Sequence, residues 1–369
     1  MNPIQALHSL GQSLWYDNIQ RRYLEDSTLA AMIQRGDIRG VTSNPTIFHN
    51  AIARSQDYDP ALKALNGLGL TAEQVFYELA VQDIRAAADL FQPLYQESQA
   101  GDGYVSLEVS PYLAQDTEST IAEAKRLWAL VQRPNLKVKI PATPAGVPAI
   151  ARAIAAGLNI NVTLIFSLKR YAEVMDAYLQ GLETRVGAGL PIQSIDSVAS
   201  FFISRIDTKV DSQLQEISLR GGAAGQEASG LMGKAAIANA RLAYTLFKET
   251  FAQERFQRLA KAGARYQRPL WASTGTKNPN YRDVVYVEEL IGPCTVNTVP
   301  PQTLEAFRDH GKVRLSVEED LDGAKQVMQS LARLGILMDQ VTKQLEDEGI
   351  SAFSNSYTAL LATLDERMN

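Results

Sequence analysis

Short apolar runs with strand-like alternation recur along the chain, separated by segments with helical periodicity. In the clearest run, Leu136, Val138 and Ile140 alternate with Lys137 and Lys139, which is the two-residue period of a strand. Prolines and a glycine follow Ile140 and lead toward a helix. We predict eight strands, at Ser13–Asp17, Arg39–Thr42, Tyr104–Ser110, Leu136–Ile140, Asn159–Phe166, Ser194–Ile203, Arg268–Ser273 and Cys294–Thr298.

Helical periodicity fills most of the sequence between these strands. Thr71 and Gln74, for instance, have the spacing of a capping box ahead of an apolar stripe. Gly221–Gly230 is rich in glycine and alanine and predicts a flexible loop, but it lacks the lysine of a phosphate-binding loop. We predict helices at residues 27–36, within 50–101, at 117–132 and 147–156, after Ser167, and at 233–251, 254–262, 303–310, 318–334 and 338–364.

The alternation of eight short strands with helices indicates the fold class. Each strand and helix pair has the size of one β/α unit. An open doubly wound sheet would also satisfy this pattern, but eight units fit a (β/α)8 barrel best. No change of composition marks a domain boundary, so we expect a single domain over residues 1–369, with residues 302–369 forming a helical part packed on the barrel.

Composition narrows the classes of function. The net charge is −5, and no basic cluster of the kind that grips nucleic acid is present. Cys294 is the single cysteine, and His8, His49 and His310 lie far apart, so no metal ligand set is expected. No apolar run has membrane-spanning length, and the N-terminus lacks the features of a signal peptide. These features predict a cytoplasmic protein that binds neither nucleic acid nor membrane.

Polar residues gather where the predicted strands end, which is the catalytic rim of such a barrel. Each has an ordinary structural explanation by itself, such as a helix cap, a turn or a solvated surface position. Together, carboxylates, amides and cations on seven strands predict one polar catalytic site. Its candidate residues are Asp17, Asn44, Glu108, Lys139, Thr143, Asn161, Thr163, Ser200, Arg205, Ser273 and Lys277.

Lys139 stands out because it ends a strand that is otherwise apolar. Such a lysine can be solvated at a sheet edge, paired with a carboxylate, or desolvated as a free amine that forms a Schiff base with a carbonyl. Lys137 shares its strand face but lies two residues earlier, about 6–7 Å toward the opposite rim. We expect Lys137 to reach water at the bottom of the barrel.

Two motifs resemble signatures of the transaldolase family of Schiff-base aldolases, in its longer bacterial form. Val41–Phe48, with sequence VTSNPTIF, resembles the first, and Leu136–Thr143, with sequence LKVKIPAT and Gly146 following, resembles the second. Asn159–Ser167 and Glu348–Phe353 extend the similarity over essentially the whole chain. The resemblance implies a (β/α)8 barrel and a Schiff base on the lysine of the second motif.

Residue roles follow from this resemblance, position by position. Lys139 would be the nucleophile, Asp17 the general acid and base, and Glu108 a second carboxylate that acts with Thr163 through a water. Asn44 and Asn161 would hold the hydroxyls of a dihydroxyacetone unit.

The phosphate end of the substrate is implied less completely. Ser200, Phe202 and Arg205 fall where the family has a serine, an aromatic residue and a phosphate-binding arginine. Shorter members have a second phosphate-binding arginine near Ser273, where this chain has none. Lys277 is the candidate substitute, although a lysine binds phosphate without the bidentate fork of an arginine.

The implied reaction belongs to the non-oxidative pentose phosphate pathway. It moves a dihydroxyacetone unit, so that sedoheptulose 7-phosphate and glyceraldehyde 3-phosphate give erythrose 4-phosphate and fructose 6-phosphate. Sugar phosphates would be the substrates, and no metal or organic cofactor is implied. A monomer and a homodimer both stay open.

Three other functions would also use the buried lysine or the barrel. A fructose-6-phosphate aldolase would release free dihydroxyacetone, but those relatives are shorter and have a tyrosine where Phe202 stands. A catalytically silent binding barrel would form no imine. A pyridoxal phosphate enzyme would show the visible absorbance of its cofactor.

Overall fold

Eight parallel strands close into a barrel in the computed structural model, which describes residues 2–368. Each strand pairs with its neighbour in sequence, and the last pairs with the first. The strands are β1 (Gln12–Tyr16), β2 (Gly40–Val41), β3 (Tyr104–Glu108), β4 (Leu136–Pro141), β5 (Ile160–Ile165), β6 (Ser197–Phe202), β7 (Arg268–Ala272) and β8 (Thr295–Val299). The predicted (β/α)8 barrel is confirmed, with strand ends shifted by up to three residues.

Helices surround this barrel. Thr71 and Gln74 form the predicted capping box at the start of the long α6, and Ser167 caps α9. The α-helices of the described chain are α1 (Pro3–Ser9), α2 (Arg21–Glu25), α3 (Thr28–Gln34), α4 (Pro45–Ala53), α5 (Asp59–Leu65), α6 (Ala72–Glu97), α7 (Thr117–Val131), α8 (Gly146–Ala155), α9 (Leu168–Gly187), α10 (Ser204–Leu219), α11 (Gly222–Leu231), α12 (Ala235–Ala252), α13 (Glu254–Lys261), α14 (Val285–Glu288), α15 (Pro301–His310), α16 (Leu321–Arg333) and α17 (Met338–Met368). Within residues 2–368, no helix combines the length and apolar character that a membrane crossing requires.

The register of three neighbouring strands aligns polar residues across the barrel. Glu108 on β3 pairs with Lys139 on β4, and Lys139 pairs with Asn161 on β5. Residues at the same level of adjacent strands lie side by side, so the sheet itself brings these three side chains together. One step further along, Pro141 pairs with Thr163.

The ladder between β5 and β6 is irregular near the end of β5. The register shifts between Val162 and Ile165, and Leu164 has a left-handed backbone with φ of 59°. That conformation is unfavourable for a branched residue and is typical of a bulge that redirects a side chain near a functional site. Leu164 is buried and faces the long helix α17, where it meets Gly349.

The predicted flexible loop at Gly221–Gly230 is wrong, because Gly222–Leu231 form the helix α11. Small residues let this helix approach the end of α10: a Cβ on Gly225 would lie 3.0 Å from the carbonyl oxygen of Ser218. Ala228 and Leu231 of the same helix are also buried. The glycines and alanines that indicated a loop are therefore the small residues that let two helices pack closely.

The expectation that Lys137 reaches water is also wrong. Its side chain is fully buried, and its ammonium forms a salt bridge and a hydrogen bond with Asp196. The ammonium also lies 3.5 Å from the centroid of the Tyr104 ring. Asp196 lies just before β6, at the opposite end of the barrel from Lys139.

The C-terminal helix α17 crosses the catalytic side of the barrel. It packs against α4, α6 and α10 and against β5. The hydroxyl of Tyr357 donates a hydrogen bond of 2.8 Å to Glu73 on α6, and its ring contacts Phe76 at 5.6 Å between centroids. The end of the chain thereby becomes part of the surroundings of the site.

Candidate active site

A cavity of about 140 Å³ opens at the carboxyl ends of the strands. Nine of the twelve site residues predicted from the sequence line it, and six further lining residues lie just after β2, on or just after β7 and β8, and on α17. The lining consists of Asp17, Thr42, Asn44, Lys139, Thr163, Ser200, Phe202, Arg205, Ala272, Ser273, Gly275, Lys277, Thr298, Pro300 and Phe353. Glu108 and Asn161 lie behind this lining, in contact with residues that form it.

Lys139 lies at the floor of the cavity and is 4% exposed. Its amine is 3.3 Å from Glu108 Oε2 and donates a hydrogen bond of 3.1 Å to the carbonyl oxygen of Ser43. The Phe353 ring covers another side, with its centroid 5.7 Å from the amine. The amine therefore has one carboxylate, one carbonyl, an aromatic wall and an open side toward the cavity.

Two oxygens close to this amine have no hydrogen-bond partner within residues 2–368. Within that range, Glu108 Oε2 and Thr163 Oγ1 are both buried and accept no hydrogen bond, although Glu108 Oε2 forms an ion pair with the Lys139 amine. Burial raises the pKa of the Glu108 carboxyl, and the charge of Lys139 opposes this shift. Buried polar atoms require partners, so this pair is suited to binding a water or a substrate hydroxyl.

Asp17 lies at the end of β1 and belongs to a chain of hydroxyls. Thr42 donates a hydrogen bond of 2.6 Å to Asp17 Oδ1, and the hydroxyls of Thr42 and Thr298 are 2.6 Å apart. Burial raises the pKa of the Asp17 carboxyl, whereas Lys139 and the Thr42 hydrogen bond oppose the shift. A carboxyl with a raised pKa can release and regain a proton closer to neutral pH than an ordinary aspartate.

The two predicted amides differ in their surroundings. Asn161 is fully buried; it donates to the hydroxyl of Ser106 at 3.1 Å and accepts from Ser200 at 2.7 Å. Asn44 precedes α4 and accepts a hydrogen bond of 2.9 Å from the backbone of Ile47, so it also caps that helix. Both amides are held by the protein, Asn161 on a strand and Asn44 at a helix start.

Phe202 ends β6, and Arg205 lies at the start of α10. Phe202 is 6% exposed, and its ring centroid lies 5.2 Å from that of Phe166. The Arg205 guanidinium lies 5.4 Å from the Phe202 ring centroid and makes no hydrogen bond or salt bridge within the described chain. Burial lowers the pKa of Arg205, with Glu348 opposing, yet an arginine remains charged at neutral pH.

Ser273 and Lys277 approach the cavity from the loop after β7. Ser273 has a left-handed backbone with φ of 56°, and its carbonyl oxygen accepts a hydrogen bond of 3.0 Å from the backbone of Ser204. The hydroxyls of these two serines are also 3.0 Å apart. Lys277 is exposed and lines the cavity mouth. Thr143, in contrast, accepts from the backbone of Gly146 at 2.8 Å and stabilises the turn before α8.

Several residues of the site were not predicted. Thr42 and Ser43 lie directly before Asn44, so the same motif could have indicated them. Ser106 lies two residues before Glu108 on one strand face, which the two-residue period predicts. Phe353 could not be placed from its own helical pattern, because its approach to Lys139 depends on how α17 crosses the barrel.

Comparison with known proteins gives one consistent result. The family described as Transaldolase/Fructose-6-phosphate aldolase matches residues 14–364. A protein of Thermobifida fusca named transaldolase is 48% identical over 368 residues, which are 100% of this chain and 98% of that protein. Transaldolases of Thiobacillus denitrificans and Frankia alni are 48% and 45% identical and cover 99% and 100% of this chain, and 100% and 98% of their own lengths.

These matches span the barrel, the cavity residues and the C-terminal helix. Asp17, the strand that carries Lys139, and Phe353 all lie within the matched range. The chain therefore belongs to the transaldolase and fructose-6-phosphate aldolase family.

Proposed function

We propose that this protein is a transaldolase that transfers a dihydroxyacetone unit between sugar phosphates. The proposed reaction converts sedoheptulose 7-phosphate and glyceraldehyde 3-phosphate into erythrose 4-phosphate and fructose 6-phosphate, reversibly. The names of the full-length relatives and the site geometry support it. We also infer a cytoplasmic location and a single domain, the latter because α17 packs on α4, α6 and the barrel.

The observation that carries the proposal is the position of Lys139 at the floor of the cavity. A buried amine beside the carboxylate of Glu108 can pass its proton to that carboxylate, which leaves a free amine and a neutral acid. Because both groups are buried, this neutral pair avoids the desolvation cost of two buried charges. The free amine then adds to the C2 carbonyl of the ketose.

The next step removes water from the carbinolamine. Glu108, whose pKa is raised by burial, gives its proton to the departing hydroxyl. Thr163 Oγ1 is the second unpaired oxygen here and holds the water through which the proton moves. The product is an iminium on Lys139, which withdraws electrons from the sugar chain.

Cleavage of the sugar follows from that iminium. Asp17 accepts the proton of the C4 hydroxyl, the C3–C4 bond breaks, and the aldose phosphate leaves. Asn44, Asn161 and Ser200 are the groups that hold the remaining hydroxyls. The enamine left on Lys139 then attacks the carbonyl of the acceptor aldose, and Asp17 returns the proton to the new hydroxyl.

Arg205 is the proposed phosphate ligand, with Lys277 as its partner. Among residues 2–368, Arg205 has no counter-ion within hydrogen-bond distance, and it lies in the first turn of α10, where the helix dipole favours an anion. Lys277 adds a point charge from the cavity mouth. Two cations at the rim and a nucleophile at the floor match the two ends of a sugar phosphate.

One assay, run with and without the acceptor, tests this function against that of a fructose-6-phosphate aldolase. Fructose 6-phosphate is added with and without erythrose 4-phosphate, and sedoheptulose 7-phosphate and free dihydroxyacetone are measured. A parallel sample is reduced with borohydride, and the adduct is mapped. We expect sedoheptulose 7-phosphate and an adduct on Lys139.

Two results would overturn the proposal. Free dihydroxyacetone as the main product with the acceptor present would indicate an aldolase. An adduct that is absent, or that maps to Lys137, would remove the mechanism.

A further inference from the structure

Phe353 brings an apolar wall to the reactive amine from the far end of the chain. The side chain is 5% exposed, lines the cavity, and its ring centroid lies 5.7 Å from Lys139 Nζ. The other contacts of that amine are polar, namely Glu108 and the carbonyl of Ser43. The ring therefore adds an apolar neighbour to an amine that also contacts a carboxylate and a backbone carbonyl.

Gly349, one turn earlier on α17, permits this placement. Residues four apart lie on the same helix face, so Gly349 and Phe353 both point at the barrel. A Cβ on Gly349 would lie 2.9 Å from Leu164 Cδ2 and 3.7 Å from Arg205 Nη1. Leu164 itself is turned toward the helix by its left-handed backbone. A glycine on α17 and a bulge on β5 thus meet where the helix approaches the site most closely.

The helix is held firmly on the other side of Phe353. Tyr357 donates to Glu73 at 2.8 Å, and its ring contacts Phe76 and Tyr112 at 5.6 and 5.3 Å. Thr46 also donates to Ser356 at 2.8 Å. These contacts fix the position of Phe353, and none of them involves a residue that lines the cavity.

The transfer reaction needs protection at one particular moment. After the first aldose leaves, the enamine on Lys139 waits for an acceptor. If solvent protonates its terminal carbon, an iminium forms again; water then adds at C2, the carbon–nitrogen bond breaks, and dihydroxyacetone leaves while the lysine amine is restored. Exclusion of water slows both the protonation and the hydrolysis.

We propose that Phe353 is a specificity-determining residue that shields the enamine from bulk water and so favours transfer over hydrolysis. This inference rests on the proposed transaldolase activity. The ring supplies the apolar wall beside the amine, and Gly349 with Leu164 sets the depth of that wall. Phe202 supplies a second aromatic wall from β6, on the side toward Arg205.

The test is a series of smaller apolar side chains at one position. Phe353→Leu, Phe353→Val and Phe353→Ala are compared with Tyr357→Phe, a control on the same helix that removes only the hydroxyl that donates to Glu73. For each variant, the rate of dihydroxyacetone release from fructose 6-phosphate is divided by the rate of transfer to erythrose 4-phosphate.

We expect this ratio to rise as the side chain shrinks, by at least about tenfold in the alanine variant. Release in heavy water should place one deuterium on the carbon of dihydroxyacetone that was the enamine terminus. Tyr357→Phe should keep the wild-type ratio even if its thermal stability falls.

Different results would overturn the role of Phe353 and the proposed function. A folded valine or alanine variant with the wild-type ratio would overturn the role of Phe353; the leucine and valine variants answer the question if the alanine variant does not fold. A wild-type protein that makes no sedoheptulose 7-phosphate would overturn the proposed function itself.

Discussion

Lys137 and Lys139 lie two residues apart on the same strand, and both side chains point into the barrel. Both are buried, and each faces a carboxylate: Asp196 for Lys137 and Glu108 for Lys139. The two lysines differ in their access to the cavity. Lys139 lines a cavity with Asp17 and further polar groups, whereas Lys137 lies against the Tyr104 ring and does not line that cavity.

This comparison shows what does not identify a nucleophile. Burial lowers the pKa of Lys137 to about 8, although Asp196 opposes the shift. Such a shift often marks a catalytic amine, but structural ion pairs produce it as well. The groups that surround the open side of the amine, rather than burial alone, indicate which lysine reacts.

Removal of Lys139 should have the largest effect. Without the amine no imine forms, so we expect Lys139→Met to lower kcat by roughly 10⁴-fold or more while the fold is retained. Transfer from fructose 6-phosphate to erythrose 4-phosphate gives the rate, and circular dichroism checks the fold. Lys137→Met is the matched control, and its adduct with borohydride should still map to Lys139. Substantial transfer by a folded Lys139→Met variant would refute the assignment.

The sequence predicts the two lysines unequally well. The alternation in β4 places both on one face, and the end of the strand places Lys139 at the catalytic rim. The burial and pairing of Lys137 depend on Asp196, which comes close to it only when the barrel closes. The same limit applies to Phe353, which no local pattern connects to β4.

Local composition misleads where a contact between elements decides the structure. Gly225 and Ala228 look like loop residues, yet they allow α11 to pack closely on α10. The rim residues were predictable because parallel strands in a closed barrel all end at the same side. The left-handed backbone of Leu164 was not, since its helix partner Gly349 is remote in sequence.

The carboxylates near the two lysines should separate activity from stability. We expect Asp17→Asn to lower the transfer rate by about 10³-fold, because the C4 hydroxyl loses its proton acceptor. The imine with fructose 6-phosphate should still form, since Asp17 acts after it. Transfer kinetics and borohydride trapping measure these two effects.

Asp196→Asn is the counterpart at the other end of the barrel. It should lower the free energy of unfolding and leave the transfer rate of the folded protein near that of the wild type. Loss of imine formation in Asp17→Asn, or a transfer rate close to wild type, would contradict the role of Asp17.

Loss of Lys137 should cost stability rather than catalysis. Lys137→Met leaves Asp196 buried without its partner, and we expect the free energy of unfolding to fall by about 3 kcal/mol. Urea denaturation measures this change. The double variant Lys137→Met/Asp196→Asn should recover part of the loss, because no unpaired charge remains. A single variant as stable as the wild type would show that the ion pair contributes nothing.

The smallest expected effect is a pH dependence of this stability difference. The pKa of Lys137 is about 8 in the folded protein, below that of an unfolded lysine. Above pH 8 the unfolded chain therefore binds more protons than the folded one, and the contribution of Lys137 to stability rises with pH. The slope is at most about 1.4 kcal/mol per pH unit, up to about pH 9.5, where tyrosines in the unfolded chain begin to ionise.

Lys137→Met has no amine at this position, so its free energy of unfolding lacks this pH dependence. The gap in free energy of unfolding between wild type and variant should therefore widen from neutral to alkaline pH. Lys63→Met removes an exposed lysine and serves as the control, because its gap to the wild type should stay constant. Urea unfolding of the three proteins in one buffer series measures both gaps. A gap for Lys137→Met that narrows with pH would mean that the ammonium form is the better bound one. The barrel would then hold Lys137 permanently in its ion pair with Asp196.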